Sequence, residues 1–506
     1  MNDQGLGGWL ARRRLRSPDK AALLHGEDGR LTYKELADAT ERAAAVLASQ
    51  GVSRGDRVAY LGENSPGFII ALFATVQLGA VFVPINTRLA PPEVAHILRD
   101  SAASLLVHDV EFDERLAAVA AEHALPPALP TTDGDGRPGF PSLMRDAAPG
   151  LPGVRVAPAD PAAIVYTSGT TGRPKGAILT HQNLTFVSLN CIIDYDVTSH
   201  DVALMISPLF HVASLGMGAL PVLLQGGTLV LEKGFEPGAA LRQIQRHRVT
   251  MLSGVPTTYM MMADHPDWAT TDLSSLDKLT CGGSAVPTRI LTAYEERGLA
   301  FAQGYGMTET SPGGTSVPPA MSREKQGSVG LPQFFLDVRV ADEDGLTLPV
   351  GEVGEVQVSG PNVFAGYLNL PEATAAAFTT DGWFRSGDLG YVDADGYLFI
   401  SGRSKDMIIS GGENIYPAEV ENLLADVPGV AAAAVIGVPD DRWGEVPWAV
   451  VTVAPGAAVD TTTVAAFLDG KLARYKIPKR VVVVDELPRT ASGKVLKAEL
   501  RERFAA

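Results

Sequence analysis

Tyr166-Thr167-Ser168-Gly169-Thr170-Thr171-Gly172-Arg173-Pro174-Lys175-Gly176 decides how this chain is read, because eleven adjacent residues combine glycines, hydroxyls and one lysine with little apolar content. Glycines let backbone N–H groups approach an anion and accept positive φ, the Ser and Thr hydroxyls add donors, and Lys175 adds a positive charge. Such a loop is built to hold phosphate, and the ligand it points to is a nucleotide. It is not the G-x-x-x-x-G-K-[ST] loop that opens a helix, since its second glycine is followed by Arg-Pro-Lys-Gly. The apolar flanks, Ala162 to Val165 and Ala177 to Leu179, predict two strands joined by the loop, with Thr180 capping a helix that starts at His181.

Working outward, a chain of 506 residues that is 46% hydrophobic and 20% charged can bury more than one core and suggests two to four domain-sized units. Its net charge of −16 argues against non-specific nucleic-acid binding, which needs a basic footprint. Two cysteines, Cys191 and Cys281, make no metal-binding spacing; they fit a reducing compartment and read as small buried apolar residues. Two weakly charged stretches invite a membrane reading. In the first, Gly67 to Pro84, Ser65-Pro66 starts a helix, Gly79 ends it and Val81-Phe82-Val83 reads as a strand. The second, Val202 to Leu231, is broken by Pro208, Pro221 and Gly226-Gly227. Buried helix and strand units, with no integral membrane segment, are therefore expected. The Arg12 to Arg16 cluster is not followed by an apolar signal core and no peroxisomal tripeptide ends the chain, so a cytoplasmic location is expected.

Helix and strand patterns alternate from Leu31 to about Phe335, as expected of layered α/β architecture with largely parallel sheets. Leu125 to Gly153, rich in Pro, Gly and Asp, reads as a long connection. Short strands with Asp-Gly turns from Val338 to Ile400 predict a β-rich subdomain. After Gly402 the pattern changes to a strand at Met407 to Ser410, a helix from Pro417, strands near Val435 and Val450, a helix from Thr463 and a strand at Val481 to Val484. This reads as a small α+β domain, so a large domain over 1–402 and a small one over 403–506 are expected.

Four further clusters carry chemistry. In Gln303-Gly304-Tyr305-Gly306-Met307-Thr308-Glu309 the glycines permit close approach of a flat ring, Tyr305 can stack on a base, and Thr308 with Glu309 offers hard oxygen ligands suited to Mg²⁺. Asp388, in Trp383-Phe384-Arg385-Ser386-Gly387-Asp388, can accept hydrogen bonds from both hydroxyls of a ribose. Arg403 lies at the composition break, where a surface ion pair is the plainer alternative. His211 stands alone in the apolar run Pro208 to Gly216, a pattern that more often marks a satisfied core histidine.

The 166–176 loop, followed by the 303–309 motif in matching order and spacing, resembles the phosphate-loop signature of the adenylate-forming superfamily of acyl-CoA and aryl-CoA synthetases, luciferases and adenylation domains. The resemblance covers nearly the whole chain and is greatest to bacterial fatty-acyl-CoA ligases and feruloyl-CoA synthetases. It implies that Thr167, Ser168, Gly169, Thr170, Thr171, Gly172 and Lys175 hold ATP, that Gly283, Ser284 and Ala285 with Gly304, Tyr305 and Gly306 wall the adenine site, that Thr308 contacts phosphate, and that Glu309 binds Mg²⁺. It implies too that Asp388 holds the ribose, that Arg403 is a nucleotide-site hydrogen-bonding arginine near the domain hinge, that His211 lies near the substrate carboxylate, and that Lys494, in Ser492-Gly493-Lys494, is the catalytic lysine of a mobile C-terminal domain hinged at Lys405. Ser410, Gly411, Gly412 and Lys476 would border a coenzyme A tunnel.

The reaction implied is two-step: a small-molecule carboxylic acid attacks the α-phosphate of ATP, and coenzyme A displaces AMP from the resulting anhydride. The apolar run from Phe210 to Leu224 favours an uncharged tail, read first as a fatty acid and alternatively as an aryl or hydroxycinnamate acid. A stand-alone enzyme loading a carrier protein shares the nucleotide motifs, but an amino-acid substrate calls for an acid within 206–216 and none is there. A homodimer is compatible with this reading.

Overall fold

The apolar flanks of the glycine-rich stretch are strands, Pro161–Thr167 and Lys175–Thr180, paired antiparallel with Tyr166 opposite Gly176. The computed structural model describes residues 5–133, 138–150, 153–167, 174–282, 286–403, 406–410, 413–440, 442–469, 471–472, 474–489 and 495–504, with backbone alone for 403, 413 and 414. The loop tip, 168–173, lies outside them.

Thr180 ends the hairpin and starts the helix His181–Asp194 through a reciprocal cap. Its hydroxyl accepts from the Asn183 amide at 3.1 Å while its own amide donates to Asn183 Oδ1 at 2.8 Å. The Asn183 amide group then donates to the carbonyls of Pro361 and Val363, both at 2.8 Å, tying the helix to a segment far along the chain.

The hairpin belongs to a seven-stranded sheet in the order 366–367, 175–180, 161–167, 81–85, 57–61, 105–108, 128–130, parallel from 161–167 to its far edge. A nine-stranded sheet runs 331–332, 315–317, 301–305, 278–282, 251–254, 202–205, 228–231, 21–25, 29–32, with a parallel middle and antiparallel edges. The uncharged stretches are the interior of these layers. Ser65 caps Pro66–Gln77, Gly79 takes φ +67 just past its end, and Val81–Ile85 is buried along its whole length. The second stretch is likewise cut into the strand Val202–Met205, a π-helical turn Ala213–Ala219, the short helix Leu220–Gln225 and the strand Thr228–Leu231. No helix among the described residues is long and apolar enough to cross a membrane. Both cysteines are buried and free.

The expected β-rich subdomain is a four-stranded antiparallel sheet, 337–341, 354–359, 384–392 and 398–403. The 125–153 connection is more ordered than its composition suggests. Ala128–Pro130 extends the seven-stranded sheet, and Phe140–Asp146 is a helix that buries Phe140. Beyond 403 the next described strand, Ile408–Ser410, joins a separate sheet with 413–415, 430–440, 444–453 and 480–483. The helix expected from Thr463 starts two residues earlier, at Thr461, because the Asp460 carboxylate caps it by accepting from the Thr463 amide at 2.8 Å.

Candidate functional site

Three of the motifs, far apart in sequence, meet where the sheets abut. The strand Phe301–Tyr305 carries Tyr305 to its end, and its hydroxyl donates to Asp388 Oδ2 at 2.7 Å across 83 residues of chain. Asp388 is 5% exposed and lies in the strand Phe384–Val392 directly opposite Arg403. Gly387 takes φ +70 beside it, and the Ser386 hydroxyl accepts from the Asp388 amide at 3.0 Å, which fixes the backbone from which the carboxylate projects.

After Tyr305 the chain folds back on itself. A Cβ at Gly306 would overlap the carbonyl of Pro312, so only glycine fits there. The turn Thr308–Thr310 follows, and Asn362, fully buried, donates to the carbonyls of Thr310 and Gly313 at 2.7 and 3.0 Å to hold the loop closed. Glu309 is thereby set against the short strand Gly366–Tyr367: Tyr367 donates its hydroxyl to Glu309 Oε1 at 2.8 Å, and the Phe364 amide donates to the Glu309 carbonyl at 2.8 Å. Lys175 Nζ lies 5.1 Å from the centre of the Tyr367 ring. Tyr367 is therefore shared by Lys175 and Glu309. Sequence reasoning passed over it, since its pairing with Glu309 spans 58 residues and no local pattern announces it.

His211 is half-buried in the turn before the Ala213–Ala219 segment, with its ring centre 4.6 Å from that of Phe210. The turn that follows it is made largely of small residues, Ala213, Ser214, Gly216, Gly218 and Ala219. A Cβ at Gly216 would come within 2.6 Å of the Ser311 carbonyl, so this turn and the 304–316 loop are in backbone contact.

Thr167 ends its strand opposite Lys175, Gly304 pairs with Ser316, and Gly282 ends the strand Lys278–Gly282. Ser168 to Gly172, Gly283, Ser284, Ala285, Lys405, Gly411, Gly412 and Lys494 lie outside the described residues, as does the side chain of Arg403. Ser410 is buried and pairs with Glu413. Lys476 donates to both carboxylate oxygens of Glu419, at 2.8 and 2.7 Å, so its charge is matched within the C-terminal part of the chain. Among the described residues no group of three or more His, Cys, Asp or Glu could hold a metal ion.

The AMP-binding enzyme family matches residues 10–368, and the AMP-binding enzyme C-terminal domain matches 419–494. The chain is 52% identical to a feruloyl-CoA synthase of Amycolatopsis sp over 504 residues, covering 100% of both. It is 42% identical to an indoleacetate–CoA ligase of Aromatoleum aromaticum, covering 99% of this chain and 98% of that one. Against a long-chain-fatty-acid–CoA ligase of Mycobacterium tuberculosis identity is 38%, with 99% and 98% covered. The crystal structure of ATP-bound MatB from Rhodopseudomonas palustris superimposes with a TM-score of 0.90 at 35% identity, covering 99% of each chain. This chain belongs to the AMP-binding enzyme family, with its large N-terminal and small C-terminal domains, and is an AMP-forming acid–thiol ligase.

Proposed function

We propose that this ligase activates an aromatic carboxylic acid of the hydroxycinnamate type and transfers it to coenzyme A. The sequence placed a fatty acid first and an aryl acid second. The order reverses because the relative at 52% identity is a feruloyl-CoA synthase and that at 42% an indoleacetate–CoA ligase, whereas the fatty-acid ligase stands at 38%. The feruloyl-CoA synthase match over the full length is the observation that carries this reading.

In the first step a carboxylate oxygen bonds to the α-phosphorus as the bond to the bridging oxygen breaks and pyrophosphate leaves. In the second, the thiol sulfur bonds to the carbonyl carbon, its proton is lost, and AMP leaves. Asp388, oriented by Tyr305, takes the ribose hydroxyls, and Lys175 with its loop takes the phosphates. Lys494 supplies a pre-oriented positive charge at the α-phosphate. The residues fit Mg²⁺ bound by one carboxylate, water and substrate phosphate, the way this ion is ordinarily held at nucleotides. Glu309 would hold it, with Tyr367 fixing one of its oxygens, and the ion would neutralise charge on the phosphates. The division into 1–402 and 403–506, pivoting at Lys405, would let Lys494 serve the first step and the 410–412 segment with Lys476 the second.

The test is ATP- and coenzyme-A-dependent AMP release across hydroxycinnamic, benzoic and fatty acids. Hydroxycinnamates should give the highest kcat/KM. Turnover of fatty acids with none of the aromatic acids would overturn the proposal.

A further inference from the structure

A seam beside the acid-binding wall holds polar atoms that the nucleotide site does not use. The helix His181–Asp194 presents Phe186, Asn190 and Asp194, four residues apart and hence on one face, toward residues 333–335 and the strand Thr315–Val317. The Phe186 ring packs edge-on against Phe335 at 5.2 Å, and Asn190 Oδ1 accepts from the Phe335 amide at 2.9 Å. Asp194 faces the Phe334 amide and the Ser316 hydroxyl, and burial pushes its carboxyl up to about 6 against their opposing pull.

Asn190 is 0% and Gln333 1% exposed. Yet Asn190 Nδ2, Asp194 Oδ2, Gln333 Nε2 and Oε1, and Ser311 Oγ close no hydrogen bond among the described residues, although the Tyr195 hydroxyl approaches Gln333. Native interiors leave few buried donors and acceptors unmet, because each one is costly. Several such atoms lie together on this seam.

The seam adjoins the acid site. A Cβ at Gly216 would lie 2.6 Å from the Ser311 carbonyl and 3.5 Å from Val187, and one at Gly313 would lie 3.2 Å from Val187 and overlap Gln333 Oε1. Val187 thus separates the small-residue turn after His211 from Gln333 by one side chain.

We propose that this seam recognises a hydroxyl on the distal end of the substrate's tail, with Gln333 and Asn190 as specificity-determining residues; the inference rests on the aromatic-acid reading above. A hydroxyl both donates and accepts. It can donate to Gln333 Oε1 or Asp194 Oδ2 while accepting from Asn190 Nδ2 or Gln333 Nε2. A hydrocarbon terminus would leave these atoms unmet, so the seam selects against fatty tails and unsubstituted rings alike.

The experiment compares kcat/KM for thioester formation from 4-hydroxycinnamate, cinnamate and a saturated fatty acid in the full-length parent and in Gln333→Leu, with calorimetric ATP binding as the check on folding. Sites built to hydrogen-bond a hydroxyl reject the analogue lacking it by about 10⁴–10⁵, and with water able to substitute we expect the parent to favour 4-hydroxycinnamate over cinnamate by roughly a hundredfold. Gln333→Leu should cut that ratio by about tenfold or more, with ATP affinity little changed. A parent that uses both cinnamates equally overturns this inference while leaving the aromatic reading intact, and needs no variant to decide it. A folded Gln333→Leu with the parent's ratio overturns it too, the seam then holding only water. Turnover of the fatty acid with neither cinnamate overturns both readings.

Discussion

Asp388→Asn tests the ribose role with the least change of shape. The carboxylate is 5% exposed and one of its oxygens already accepts the Tyr305 hydroxyl at 2.7 Å. In the asparagine variant the amide oxygen keeps the tyrosine bond, and an NH₂ group replaces the charged acceptor on the other side. A hydrogen bond to a charged group is worth about 1.5–3 kcal/mol, so ATP should bind roughly ten- to hundredfold more weakly. Tyr305→Phe acts on the same carboxylate from the opposite side. It removes the donor that orients Asp388, and should lower folding stability by about 1.5–3 kcal/mol. Calorimetric titration with ATP and urea unfolding give the two quantities, and the double variant gives their coupling. An Asp388→Asn protein that binds ATP within about threefold of the parent would refute the ribose assignment. Additive stability losses in the double variant would show that the Tyr305–Asp388 bond contributes nothing.

Lys494→Ala should slow adenylation by about a hundredfold or more while sparing thioester formation from supplied acyl adenylate, since one pre-oriented charge is removed from the first step alone; equal losses in both half-reactions would sink the assignment. Tyr367→Phe keeps a ring beneath Lys175 but removes the hydroxyl at Glu309, so half-maximal adenylation should need about tenfold more Mg²⁺, and an unchanged Mg²⁺ dependence would exclude the positioning role. Burial holds the His181 imidazole down at about 4, with its Nδ1 accepting the Leu6 amide at 3.2 Å. The unfolded chain takes up that proton near pH 6.5 and the folded one only near 4, so stability falls on acidification, by about 2 kcal/mol from pH 7 to 5. Urea midpoints at the two pH values check it, and a His181→Leu variant with the parent's full pH slope would contradict it.

What the sequence made legible was local. The hairpin around Tyr166 to Gly176, the Thr180 cap and the Ser65-Pro66 helix start depend on residues a few positions apart, and each stands as read. The site is made of contacts that are not local. Tyr305 meets Asp388 across 83 residues and Tyr367 meets Glu309 across 58, and both distances are set by which strands neighbour one another. The polar seam was hidden differently. Asn190 and Asp194 stand four residues apart on one helix face, and nothing in the sequence said that this face packs on Gln333 to Phe335 rather than on water.

Sheet register also fixes how the two charged ends of the site are spaced. Tyr367 stands opposite Ala177, two residues past Lys175 on the second strand of the hairpin, and Gly366 stands opposite Ile178. The Ala365 amide donates to the Ile178 carbonyl at 3.0 Å and the Leu368 amide to the Gly176 carbonyl at 2.8 Å, which locks that register from both sides. Through this strand Lys175 and Glu309, proposed above to meet phosphate and Mg²⁺, share one rigid reference, the Tyr367 ring and its hydroxyl. Lys175 itself belongs to the strand Lys175–Thr180, so its place is set by the same register. A slip of one residue between 366–367 and 175–180 would turn Tyr367 to the other face of the sheet and remove it from Lys175 and Glu309 together. The separation of Lys175 from Glu309 is therefore a property of the sheet, laid down by folding before any ligand arrives.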